Sequence, residues 1–142
     1  EGVQAACEWS RLDAVRLEST KPTVDGGRQV ARDVRASGAT AVLTYNDLLA
    51  IGLMQELQAA GMVVPDQISI VGFDDIFGAD FTTPPLTTVR SPLGECGSGA
   101  ATLLLDRLHG DLPRSAGEPA PTLRVETELV LRGSSGRLIV TK

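Results

Sequence analysis

The residue types that do acid–base and metal chemistry are scarce in this sequence. A single histidine, His109, stands in 142 residues. It falls at the expected end of a helix, where a cation suits the helix dipole, and this argues against Ser-His-Asp chemistry. The two cysteines, Cys7 and Cys96, lie far apart with no Cys or His at metal-ligand spacing. They are expected to be idle thiols of a cytosolic protein. Aromatic residues make up 4% of the chain, so Leu, Val, Ile and Ala must build the core. The formal charge is −5 and no Lys/Arg cluster appears, which excludes a direct electrostatic grip on nucleic acid. No apolar run is long enough to span a membrane as a helix. No signal peptide is present, and a chain that starts at Glu1 without Met is expected to be a fragment or a processed product. No Gly-rich phosphate loop follows a strand, because Gly97-Ser98-Gly99 falls inside a helical pattern. Neither an enzyme nor a cofactor is expected.

What is present reads as one soluble α/β domain, 42% apolar and 22% charged. Residues 2–9 suit a short helix, and residues 13–18 alternate as a strand. A polar loop with Pro22 follows over residues 19–25. The spacing predicts a helix over residues 24–36, with Val30 and Val34 four apart and Gly38 at its C-cap. Residues 40–45 form a nearly continuous apolar run, expected as a parallel strand buried on both faces. A helix from Asp47 to about Ala60 stops at Gly61, Val64-Pro65-Asp66 turns, and residues 67–72 give a second buried strand. Such a strand–helix–strand unit predicts a right-handed parallel crossover. Residues 78–85 are loop, and residues 86–90 are extended. From Pro92 a helix runs to about His109, with Leu93, Leu104 and Leu108 on one stripe. Gly94, Gly97 and Gly99 each weaken it by roughly 1 kcal/mol relative to Ala, so it needs a surface to lie on. A Pro-rich linker precedes a last alternating strand over residues 122–132, and residues 133–142 read as a tail.

In open parallel sheets, ligands bind beyond the C-terminal strand ends. Three such ends are polar here: the loop around Pro22, Asn46-Asp47, and Asp74-Asp75. An amide and a carboxylate held there can fork onto adjacent hydroxyls of a sugar or polyol. The alternative is that Asn46 and Asp75 cap helices and Asp74 ends a strand. Adjacent strand residues point to opposite faces, so Asp74 and Asp75 make a poor acid–base pair, and further carboxylates for a calcium loop are missing. On the helix from Asp47, residues Leu49, Ala50, Leu53, Leu57 and Ala60 share the inward face. Leu48, Ile51 and Met54 widen the apolar surface beyond one sheet contact. That surface suits a two-fold partner or a wider core of its own.

The series Thr44-Tyr45-Asn46-Asp47-Leu48-Leu49-Ala50-Ile51-Gly52, then Val64-Pro65-Asp66, Ile68-Ser69-Ile70-Val71-Gly72-Phe73-Asp74-Asp75 and Thr83-Pro84-Pro85-Leu86-Thr87-Thr88-Val89-Arg90, resembles the C-terminal half of lactose/galactose-type (LacI-type) repressors. The likeness is dense over residues 39–91 and looser outside. It implies a parallel sheet with flanking helices, similar to one subdomain of a periplasmic-binding-protein-like fold, with an effector between two subdomains. Asn46 and Asp74, with Phe73, match effector-binding positions. Pro22 stands where an aromatic often stacks on the ligand. Leu48, Ile51, Met54 and Phe81 match a homodimer surface. The resemblance divides the chain into an effector-binding subdomain (residues 1–91), a helix that packs on an absent N-terminal subdomain (92–112), a linker (113–121), a returning strand (122–132) and a tail (133–142). It implies a cytoplasmic regulator that meets DNA only through an N-terminal head outside this segment. The alternative is one lobe of a periplasmic sugar-binding protein.

Overall fold

Side-chain caps decide where the two central helices begin. In a computed structural model, which describes residues 2–19, 21–110 and 122–137, Thr23 Oγ1 accepts the Gly26 amide at 3.2 Å and opens α2 (Val24–Ser37). Gly38, at φ 70°, closes it in the left-handed conformation that glycine adopts without strain. Asn46 Oδ1 accepts the Leu49 amide at 3.0 Å and opens α3 (Asp47–Ala59). Before these comes α1 (Gly2–Ser10), which buries no residue. The strands are β1 (Ala41–Leu43), β2 (Ser69–Asp74), β3 (Thr87–Arg90) and β4 (Glu128–Val130), with α4 (Leu93–His109) between the last two. The expected linker lies outside the described residues, as does the chain beyond residue 137.

The sheet order is β1-β2-β3-β4. β1, β2 and β3 run parallel, and β4 is antiparallel to β3. The sheet is thus mixed and mostly parallel, of the expected α/β class. α3 packs on β2, and α2 packs on α3. Two glycines bring the helices together: a Cβ on Gly27 would collide with the Leu49 carbonyl, and one on Gly52 with the Val24 carbonyl. Leu53, Leu57, Ile68, Ile70 and Leu86 fill the space between helix and sheet. Burying each contributes about 1.5–3 kcal/mol.

Five expectations change. Of the last strand, expected over residues 122–132, only Glu128–Val130 joins a ladder. Residues 13–18 join no ladder and are exposed, because alternation alone supplies no partner strand. β1 is an edge strand with Leu43 exposed, not a strand buried on both faces. Met54, expected on a dimer face, is 1% exposed and belongs to the chain's own core with Ala31 and Val34 of α2. The wide apolar face of α3 is wide partly because it meets a second helix. Finally, the first residues of the expected tail are structural. Ser134 lies between β2 and the start of β3, its amide donating to the Pro85 carbonyl at 2.9 Å. The Ile70 amide donates to the Ser134 carbonyl at 2.7 Å, and Ser134 Oγ donates to the Ile70 carbonyl at 2.6 Å. The same Oγ accepts the Thr87 amide at 2.8 Å.

Ser134→Ala leaves a buried amide and a buried carbonyl each short of a partner. The expected loss is about 2–6 kcal/mol, since each such group costs about 1–3 kcal/mol. Urea denaturation should show the transition midpoint falling with an unchanged slope.

Candidate functional site

β1 and β2 end side by side, and their ends collect the polar residues. Leu43 registers with Val71, so β1 and β2 end at the same edge of the sheet, with Asn46 and Asp74 each three residues further along the chain. Asn46 Nδ2 donates to the Pro22 carbonyl at 3.1 Å, which draws the loop before α2 onto the same edge. Asn46 and Pro22 are therefore brought together, and Asp74 ends the neighbouring strand. Asn46 is a helix cap, as one of the alternatives held. Its amide still has one N–H and one lone pair uncommitted by these two bonds. Phe73 is half-buried and alternates to the face opposite Asp74.

The adjacent acids have divided roles. Asp75 is a clamp, not a helix cap: Arg132 donates to its Oδ1 at 2.6 Å and Arg90 to its Oδ2 at 2.7 Å. Arg90 also reaches Glu128 at 3.0 Å, and Arg132 reaches the Leu86 carbonyl at 2.8 Å. Asp75's side chain is 10% exposed and both oxygens are occupied. Burial pushes its carboxyl up, but the hydrogen bonds from Arg132 and Arg90, with their charges, outweigh that and hold it below the usual range. Asp74 is half-buried, and no described residue donates a hydrogen bond to its carboxylate. Burial, and then the nearby charge of Asp47, push its carboxyl above the usual range. Both residues take positive φ, 106° at Asp74 and 56° at Asp75. Such conformations cost about 1–3 kcal/mol each unless the surroundings enforce them.

Asp47 was missed as more than a possible cap. It is fully buried, accepts the Thr88 hydroxyl at 2.5 Å and the Ile76 amide at 2.8 Å, and fills the space where Gly72 lacks a Cβ. A signal existed in the sequence. Asn46 and Asp47 are both cap-type residues, and one helix start takes one cap, so the other needs a different partner. Arg132 and Ser134 carried no such signal, because their partners lie far away in sequence.

On the expected dimer surface, Leu48 is 38% exposed, Ile51 half-buried and Phe81 67% exposed. Phe81 packs edge-on against Phe77, ring centroids 5.0 Å apart. A shallow concavity of about 390 Å³ lies elsewhere, between α4 and residues 123–125, lined by Thr102, Leu103, Leu123 and Arg124 among others. It includes neither Asn46 nor Asp74. Among the described residues, no group of three or more His, Cys, Asp or Glu could hold a metal ion. No helix among them is long and apolar enough to cross a membrane.

Residues 1–135 match the family of periplasmic binding protein-like domains. The HTH-type transcriptional regulator reg1 of Streptomyces lividans is 37% identical over 128 residues, 89% of this chain and 35% of that protein. MalR of Streptomyces coelicolor is 37% identical over 115 residues, 80% of this chain and 31% of that protein. Among solved structures, a LacI family transcriptional regulator from Enterococcus faecium with bound ribose superposes with a TM-score of 0.84 at 30% identity. The match covers 97% of this chain and 51% of that one. The chain belongs to the periplasmic binding protein-like domain family, in the form carried by LacI-type transcription regulators. It spans about a third of the length of these curated relatives.

The two acids should titrate with opposite effects on stability. Asp75's depressed pKa means that its clamp stabilises fully above the ordinary carboxylate value near 4 and is lost as pH falls through the depressed value. Asp75→Asn is expected to cost about 2 kcal/mol at pH 7 and progressively less in acid. Asp74's raised pKa has the other sign: its ionised form destabilises above that pKa, and protonation relieves this as pH falls. Asp74→Asn should therefore stabilise the chain at pH 7 and lose that advantage near pH 4. Urea denaturation at both pH values decides each case.

Proposed function

We propose that this chain is the effector-binding portion of a transcription repressor, and that a sugar or related polyol is its effector. The observation that carries this reading is the Asp74 carboxylate, which no described residue pairs, at the end of β2 beside the β1 end that leads to the Asn46 amide. Both groups can engage neighbouring hydroxyls of one ring, and Asp74 regains on binding the hydrogen bonds it lacks. Ribose in the Enterococcus faecium regulator, and cellobiose in the CelR complex at 29% identity, support a carbohydrate. Pro22 borders the site, giving a small apolar wall in place of a stacking ring, while Phe73 lies on the other face of β2.

The function is binding, not catalysis, and its setting is the cytoplasm. The second wall of the cleft comes from an N-terminal subdomain, and α4 lies on that subdomain, which accounts for a 17-residue helix that buries nothing here. Leu48, Ile51 and Phe81 face a second copy of the chain. Effector binding favours one cleft geometry and so shifts the relative placement of two DNA-binding heads. The acidic balance of this region is consistent with leaving DNA to the heads.

Titration of the labelled chain with D-ribose and with cellobiose, followed by NMR, should give saturable shifts confined to Asn46, Asp74 and their neighbours for at least one sugar. With one wall present, the affinity should be near millimolar, about −4 kcal/mol, and Asp74→Ala should weaken it at least tenfold. No saturable shift with either sugar refutes the carbohydrate assignment. Assembly has its own measurement: sedimentation equilibrium should find a dimer that Ile51→Glu abolishes, and a wild-type monomer would remove the two-fold surface.

A further inference from the structure

Two consecutive non-glycine residues with positive φ are unusual, and here they fall at Asp74 and Asp75, the last residue of β2 and the one after it. Asp tolerates the left-handed region near 56° better than most residues. At 106° Asp74 lies outside even that tolerance. Left alone, the chain would relax to negative φ and leave the ladder earlier. What prevents this is visible on both sides of the pair. Upstream, Asp74 registers with Arg90 of β3. Downstream, the Ile76 amide is tied to Asp47 of α3 at 2.8 Å. Between them, the Asp75 side chain is gripped by Arg90 and Arg132. A two-residue span pinned at both ends and in the middle has little freedom to choose another path.

We propose that Asp75 is a positioning residue for ligand binding: its double arginine clamp holds the backbone through Asp74 in the left-handed form and so keeps the Asp74 carboxylate in its place at the strand ends. This rests on the reading that Asp74 contacts the effector. Asp75 itself offers the ligand nothing, since both its oxygens are taken. The clamp also joins the site to the strands that flank α4. Arg90 is the last residue of β3 before the chain leaves for α4, and Glu128, which Arg90 also holds, is the first of β4 on its return. Any shift of those two strands against each other is felt at Asp75 and, through one peptide, at Asp74.

The test uses the whole labelled chain and two readouts. The first is the backbone of Asp74, read from its HN–Hα coupling and intraresidue NOE, without any sugar. The wild type should show positive φ at both residues. Asp75→Asn keeps the volume and the tolerance for the left-handed region but loses the charge-assisted pairing. It should lose positive φ at Asp74 while amide shifts of Leu53, Leu57 and Ile70 stay in place. The second readout is D-ribose and cellobiose affinity, expected to fall at least tenfold in that variant. A purely structural residue would lower the melting temperature and leave the affinity of the folded protein unchanged. Retention of positive φ at Asp74, or its loss with unchanged affinity, overturns the proposal. If Asp75→Asn fails to fold, Arg90→Met removes one arm of the clamp from a half-exposed position and should weaken the same two signals several-fold. Failure of the wild type to bind either sugar defeats the carbohydrate reading, and the coupling at Asp74 then decides the clamp by itself.

Discussion

A carboxylate with no exposure to water holds the helix layer to the sheet. Asp47 sits in the first turn of α3, and its oxygens reach the Thr88 hydroxyl on β3 and the Ile76 amide beyond β2. Burying such a group unpaired would cost several kcal/mol. The surrounding structure is arranged so that it is not unpaired. Gly72 leaves room for it on β2, Thr88 supplies a hydroxyl at the right register, and the chain after Asp75 turns so that an amide points back. The helix start, the sheet register and the turn that follows Asp74 are thus one arrangement. That arrangement also explains why the candidate site is strained: the turn serves Asp47 before it serves a ligand.

Local rules made much of this fold legible. The caps at Asn46 and Gly38, the apolar spacing of α2 and α3, and the runs behind β1 and β2 are contained within windows of a few residues. What stayed hidden depends on distant partners. Residues 13–18 alternate like a strand but have no neighbour to pair with. Residues 122–132 also alternate, yet only Glu128–Val130 enters a ladder, because β3 offers only a short edge. Ser134 lies in a Gly- and Ser-rich stretch that reads as a tail, and its role appears only in its bonds to Ile70, Pro85 and Thr87. The width of α3's apolar face could not distinguish a partner chain from α2. Burial assigns Met54 to the latter.

The site was legible in its members but not in their division of labour. Asn46 and Asp74 stood out as polar residues ending apolar runs, and the parallel pairing ends their two strands at one edge. Nothing in the dipeptide Asp74-Asp75 says which carboxylate is committed to the protein. The answer comes from Arg132, fifty-seven positions along from Asp75, and from Arg90. A single carboxylate can serve two arginines or a ligand, and the arginines take the one whose side chain is nearly buried.

Ser134 has a consequence for how the chain reaches this state. It bonds Ile70 across 64 residues and Thr87 across 47. The middle of the sheet therefore depends on a long loop being closed, and loop closure must precede the contacts that reward it. During synthesis, α2, β1, α3 and β2 can emerge and collapse locally while the Ile70 amide still lacks its acceptor. The bonds that Ser134 makes to Ile70 and Thr87 form only after residue 134 has left the ribosome. Until then the centre of the sheet is an open seam, and partly made chains carry it exposed.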